Sequence, residues 1–192
     1  MSTAGKFDPV SVAEYLAGED TAVEKHEYVC GEVYAQAGGT NTHNRIATNA
    51  TIELGSLLRG HRCNVYNSDT KIKICADDGT RFFYPDLSVV CDSNPASDSF
   101  QQRPVVIVEV LSPSSRRQDL GEKRENYCKL ASLQTYVMFE QDSAAAIVYQ
   151  SGEDGHFQRR SYVGLEQSVP LLALDLMLSL RDVFQDVKFP NN

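Results

Sequence analysis

The sequence predicts an α+β fold with an α/β core, a mixed central sheet flanked by helices. Three observations carry this. Apolar residues recur at helical spacing in two main segments, strand-like runs lie before, between and after them, and no internal repeat, low-complexity tract or linker intervenes. At 192 residues and 42% hydrophobic content the chain has the material for one globular domain spanning residues 1–192.

In chain order, Asp8 to Gly18 has a cap residue, Pro9 at the first helical position and a closing glycine, the punctuation of a short helix. His26 to Cys30 and Glu32 to Ala37 flank Gly31 and read as two strands meeting in a tight turn, after which Gly38-Gly39-Thr40 breaks the pattern. From Thr42 to about Arg59, Ile46, Ala47, Ala50, Leu54, Leu57 and Leu58 recur at helical spacing, with Thr42 placed to cap. Strands are expected at 64–67 and 70–75, the second alternating Ile72 and Ile74 against Lys71 and Lys73, and Asp77-Asp78-Gly79 turns the chain. Two largely apolar strands follow near 82–91 and 104–111, then a second main helix over about 119–131. Strands near 135–139, 145–150 and 157–162 come next, the last two joined as a hairpin at Gly152 to Gly155. Leu171 to Leu178 reads as a further strand, and Ser179 as the cap of a short final helix.

No window approaches the roughly 18 apolar residues of a membrane span, and the N-terminus lacks a signal-peptide layout, so a soluble, cytoplasmic protein is expected. The five cysteines, Cys30, Cys63, Cys75, Cys91 and Cys128, are odd in number and form no Cys-x-x-Cys pair. They indicate neither a zinc site nor a disulfide framework and read as small buried hydrophobes. The net charge of −8 argues against coating nucleic acid by bulk electrostatics. A local basic groove has candidates in Arg59, His61 and Arg62, in Arg116 and Arg117, and in Arg159 and Arg160, although paired arginines are more often solvated surface.

Asp86 and Glu109 carry the chemistry. Each lies on a short apolar run, Tyr84-Pro85-Asp86-Leu87-Ser88-Val89-Val90 and Val105 to Leu111, where a carboxylate is costly unless something pairs with it. Two such carboxylates on neighbouring strands point to a divalent metal. Magnesium typically takes one or two protein carboxylates plus waters and substrate phosphate oxygens, which fits this pair, with the Val110 carbonyl as a third ligand and manganese as a substitute. Phosphodiester cleavage also wants a cation near the developing negative charge. Lys123 shares a helical arc with Leu120, Tyr127, Leu130 and Ala131, which points it inward or along the core edge, although Arg124 falls in the same arc. The other reading has Lys123 lying over the apolar stripe and pairing with Asp119 at i−4.

Pro85-Asp86, then Glu109-Val110-Leu111-Ser112-Pro113-Ser114-Ser115, then Asp119, Lys123 and Tyr127 resemble the Uma-type putative restriction endonuclease family, a branch of the PD-(D/E)XK nuclease superfamily. The resemblance runs upstream through Gly31-Glu32 and His43 and downstream through Tyr136 to Glu140, covering about residues 10–180. It implies a restriction-endonuclease-like core and magnesium-dependent phosphodiester hydrolysis of DNA, with Asp86 and Glu109 holding the metal. The superfamily lysine normally sits two residues after the second carboxylate; here that position is Leu111, and in this branch the lysine comes from the following helix, which matches Lys123. Glu32 corresponds to the acidic residue after the early glycine and borders the site by this resemblance, while strand alternation reads it as solvent-facing. His43 lies at the centre of the apolar arc of Ile46, Ala50, Leu54 and Leu57, either as a substrate-binding residue or as a core histidine. Ser112, Ser114 and Ser115 either bond phosphate or turn the chain.

Other chemistries lack their signatures. There is no Gly-x-Ser-x-Gly at the Leu111-Ser112-Pro113 corner, Gly38-Gly39 matches no phosphate loop, and beyond an acidic pair nothing supports a glycosidase. The remaining alternative is a nuclease-like fold with weak or no cleavage, acting as a nucleic-acid-binding or protein-interaction module. A homodimer is expected, because two-fold symmetry suits a two-stranded substrate.

Overall fold

The computed structural model describes residues 8–36 and 38–189; Ala37, the end of the second expected strand, lies outside them. Helix α1 covers Val12–Glu19 and starts later than its punctuation suggests. Ser11, not Asp8, is the cap: its hydroxyl accepts from the Glu14 amide while the Glu14 carboxylate accepts from the Ser11 amide at 2.9 Å. This reciprocal pair satisfies orphan donors that Pro9 has no means to serve. Strands β1 (His26–Val29) and β2 (Glu32–Ala35) form a hairpin whose turn residues, Cys30 and Gly31, both have positive φ, 51° and 102°. A methyl group at Gly31 would come within 2.5 Å of Pro9 Cβ, so this glycine also permits close chain approach.

Helix α2 (Asn41–Leu57) is capped by Thr40, two residues earlier than Thr42, through a Thr40 hydroxyl that accepts from the His43 amide. The strands then divide between two main sheets rather than one. Strands β3 (Asn64–Asn67), β6 (Leu87–Val90), β8 (Pro104–Leu111), β9 (Thr135–Glu140), β10 (Ala145–Ser151) and β11 (Phe157–Val163) form a six-stranded sheet in the order β11-β10-β9-β8-β6-β3. It is mixed, parallel between β8 and β9 and antiparallel elsewhere. Strands β4 (Lys71–Ala76), β5 (Gly79–Phe83) and β7 (Phe100–Gln101) join the first hairpin in a five-stranded sheet, β2-β1-β5-β4-β7. The run expected as one strand over 82–91 is therefore two, β5 and β6, in different sheets, with Tyr84-Pro85-Asp86 crossing between them. Proline lacks the amide a continuing ladder needs.

Alternation along β8 sets the layers. Val106, Val108 and Val110 face the cluster with Ile46, Ala50 and Leu54 of α2, whereas Ile107 and Leu111 face Ile72, Ile74 and Phe83 of the second sheet together with Tyr127 and Tyr136. Helix α1 covers the far side of the five-stranded sheet through Tyr15, Tyr28 and Phe82. The second main helix is three consecutive segments: α3 (Arg116–Gln118), a π-wound segment (Asp119–Lys123) and α4 (Arg124–Tyr127). Near the C-terminus β12 (Ser168–Leu171) and β13 (Leu176–Ser179) pair as a hairpin around a 3₁₀ turn, where a single strand was expected, and α5 (Leu180–Val183) follows with Ser179 as its cap. Cys63 and Cys91 are disulfide-bonded across β3 and β6, which corrects the expectation of unpaired cysteines; Asn64 pairs with Val90, so the register sets the two opposite each other. Cys30 and Cys75 are exposed rather than buried.

Candidate active site

Strand register brings the acidic pair together. In the β6–β8 ladder Leu87 stands opposite Val108, so the next step outward sets Asp86 opposite Glu109, and opposed residues of an antiparallel pair share a face. Beyond the end of β6, Asp86 continues the bonding with its side chain: Oδ2 accepts from the Val110 amide at 2.6 Å, while Glu109 Oε2 accepts from the Asp86 amide at 3.3 Å. The other Asp86 oxygen lies 2.8 Å from His43 Nε2. His43 reaches it from the first turn of α2, past Gly39, where a methyl group would meet the imidazole at 2.5 Å. Burial works against a charged His43, but the hydrogen bond to Asp86 together with the charges of Asp86 and Asp119 outweighs this and raises the imidazole above its usual value.

Lys123 points inward. Its ammonium lies 2.8 Å from Glu27, 3.3 Å from Glu109 and 3.7 Å from Asp119, so it faces the acidic site rather than lying outward over the apolar stripe, and keeps only the Asp119 pairing of the other reading. Burial opposes the charge, yet the carboxylates of Glu109, Glu27 and Asp119 outweigh it and hold the ammonium above its ordinary range. Arg124, in the same arc by helical arithmetic, instead lies over the Tyr149 ring. The π winding at Asp119–Lys123 buries both residues toward the cavity, the kind of helix irregularity that collects at functional sites.

Glu27 is the residue the sequence reading missed. Its carboxylate also accepts from the Tyr84 amide at 3.3 Å and from Gln118 Nε2 at 3.2 Å, tying the five-stranded sheet, the crossing before Asp86 and the helix to one group. Glu32 is not part of this set. The hairpin register places it opposite Val29, next to the turn, exposed and accepting from the Tyr34 hydroxyl.

These groups surround a cavity of about 310 Å³, with Ser112, Ser114 and Ser115 on its wall. The serines bond one another, Ser112 Oγ to Ser114 Oγ and Ser115 Oγ at 2.9 Å each, so they turn the chain and line the site together. Arg116 turns away to a bidentate pair with Glu140, and Arg117 is exposed outside the cavity wall. A wider cleft of about 650 Å³ lies outside the α2 N-terminus, along Asn41, Arg45 and Lys188, but its one acidic residue, Asp186, gives it no comparable chemistry.

Four carboxylates, Glu27, Asp86, Glu109 and Asp119, thus face Lys123 and His43. Burial, and then repulsion from Asp119, Asp86 and Glu27, push the Glu109 carboxyl well above its usual range against the pull of Lys123; burial also raises Asp119. Asp119 Oδ1 is buried without a hydrogen-bond partner among the described residues. A set of buried carboxylate oxygens with surplus negative charge fits a hard divalent cation. Among the described residues no group of three His, Cys, Asp or Glu side chains is arranged to hold a metal ion by itself.

Comparison with known proteins agrees with this frame. The model of the Uma2 family, described as "Putative restriction endonuclease", matches residues 12–182. The uncharacterized protein slr1290 of Synechocystis sp. is 31% identical over 189 residues, 98% of each chain. The uncharacterized protein sll1609 of the same organism is 31% identical over 135 residues, 69% of this chain and 75% of its own. The crystal structure of "a putative nuclease belonging to DUF820" from Anabaena variabilis has a TM-score of 0.72 at 18% identity, covering 92% of this chain and 98% of that one, a likeness of fold. With nearly the whole chain matched, the protein belongs to the Uma2 family.

Proposed function

We propose that the protein hydrolyses phosphodiester bonds in DNA with magnesium, or manganese in its place, held by Asp86, Glu109 and the Val110 carbonyl. The observation that carries this is the buried acidic excess around Asp86 and Glu109, four carboxylates gathered about the one ammonium of Lys123. When bound, the metal polarises a phosphoryl oxygen and supplies hydroxide near neutral pH. Lys123, kept charged by its carboxylates, faces the negative charge that develops on the phosphorus oxygens and serves as an electrostatic stabiliser rather than a base. His43 orients Asp86, and Glu27 fixes the ammonium. Ser112 and Ser114 supply hydroxyl donors at the wall.

Incubating supercoiled plasmid with the protein and magnesium or manganese, beside Asp86→Ala, tests the reading. Wild type is expected to nick or linearise the DNA, and the variant to be slower by more than about a hundred-fold. Equal survival of supercoiled plasmid, and of single-stranded DNA incubated in the same way, with both proteins sinks the assignment.

One observation favours a second reading, a nuclease-like fold that binds nucleic acid or protein without cutting: the Lys123 ammonium is engaged by three carboxylates, as a structural ion cluster would be. Undiminished DNA binding by wild type and Asp86→Ala, with cleavage by neither, would support it. We also propose a cytoplasmic homodimer. Light scattering that finds only a 21.3 kDa species at micromolar concentration rules the dimer out.

A further inference from the structure

Tyr34 stands apart from every group assigned above. It is 48% exposed, large and aromatic, yet it lines the cavity. The β1–β2 register sets it opposite Glu27, so its ring is on the same sheet face as the carboxylate that holds Lys123. Its hydroxyl donates to Glu32, two residues back on the same strand face, which pins the ring at the mouth. The neighbouring wall is formed by Ala35, Gln36, Gly38 and Gly39. Below it the site is recessed, with Glu109 and Lys123 only 4% and 5% exposed.

From this geometry we infer that Tyr34 is a stacking platform for an unpaired nucleobase, and that the nucleic acid taken here carries an unstacked nucleotide beside the scissile phosphate. The inference rests on the nuclease reading and names its substrate class. A phosphate must descend into a cavity of about 310 Å³ to reach Asp86 and Glu109. A regular duplex keeps its bases stacked inward and has none to offer the ring, whereas a single strand, flap or bubble does. Aromatic platforms bind any base through its π face, so no sequence code is needed. Glu32 is then a positioning residue that acts through Tyr34, without contact with the reacting atoms.

The test uses the full chain and one oligonucleotide sequence in three forms: single strand, blunt duplex, and duplex with a central bubble, each carrying 2-aminopurine. In magnesium, cleavage of the single strand and bubble is expected at least about ten-fold faster than of the duplex. Tyr34→Ala should lose about ten-fold or more in kcat/KM on the unpaired substrates, with Tyr34→Phe and Tyr34→Trp retaining most of it. In EDTA, bound 2-aminopurine should be quenched by wild type and Tyr34→Phe but not by Tyr34→Ala, a readout that a merely structural residue would leave unmoved. Duplex cut as fast as single strand, or unaltered quenching and kcat/KM in Tyr34→Ala, overturns the inference while leaving the nuclease reading intact. If no form is cut, the nuclease reading fails by itself and the quenching series still decides the role of Tyr34.

Discussion

Lys123 carries more than one duty. Replacing it with methionine leaves Glu27, Glu109 and Asp119 buried without their cation, and losing one partner of a buried pair typically costs about 3–5 kcal/mol. Urea denaturation of Lys123→Met should show a loss of this order alongside the loss of cleavage. Glu27→Gln/Lys123→Met should be less destabilised than the two single losses summed, by about 1 kcal/mol or more. A second residue tests electrostatics away from the cavity. Glu19 is partly buried and accepts from the Tyr84 hydroxyl at 2.7 Å and the His26 ring at 2.9 Å; burial raises its carboxyl, but these bonds outweigh it and hold the group below its ordinary value of 4.5. A depressed carboxyl stabilises the fold above its unfolded pKa and stops doing so as pH falls through the folded one. The stability advantage of wild type over Glu19→Gln should therefore be full at neutral pH and narrow on acidification below about 4.5, as followed by thermal melts. At this scale the sequence shows Asp86, Glu109 and Lys123 as charges among apolar neighbours. Glu27 hides because alternation sets it opposite Tyr28 but does not say which strand face meets the helix.

Elements were legible where one period runs uninterrupted. Helix α2, strand β8 and the β10–β11 hairpin follow from spacing and turn residues alone. Where a strand changes sheets, as at Tyr84-Pro85-Asp86, the apolar run continues through the break and only tertiary pairing reveals it. The π-wound segment, in which Asp119 and Lys123 are both buried, also has no signature in the residue spacing. The Cys63–Cys91 link is likewise a matter of register, since the residues are 28 apart and share no motif. Thiol titration of the denatured chain should count three free groups, Cys30, Cys75 and Cys128, before reduction and all five after it. By loop-closure entropy the Cys63→Ser/Cys91→Ser variant should unfold with about 3.5 kcal/mol less stability than the oxidised chain. Equal stability of oxidised wild type and this variant would show that the link adds nothing to the fold.

Over the whole molecule, the proposed metal site predicts a stability that depends on divalent cations. Magnesium or manganese at about a hundred times its dissociation constant should stabilise the protein by about 2.7 kcal/mol, seen as a raised Tm, and Asp86→Ala should abolish the rise. A wild-type Tm indifferent to both metals would count against the proposed ligands. The fold that positions those ligands has one further consequence. Glu27 comes from the five-stranded sheet, Glu109 from the six-stranded one, Asp86 from the crossing between them and Lys123 from the helix over both. No single layer carries the whole constellation. If the proposed nuclease activity holds, cleavage requires both sheets, the crossing between them and the helix to be docked at once, so a chain with only one sheet formed should not cut.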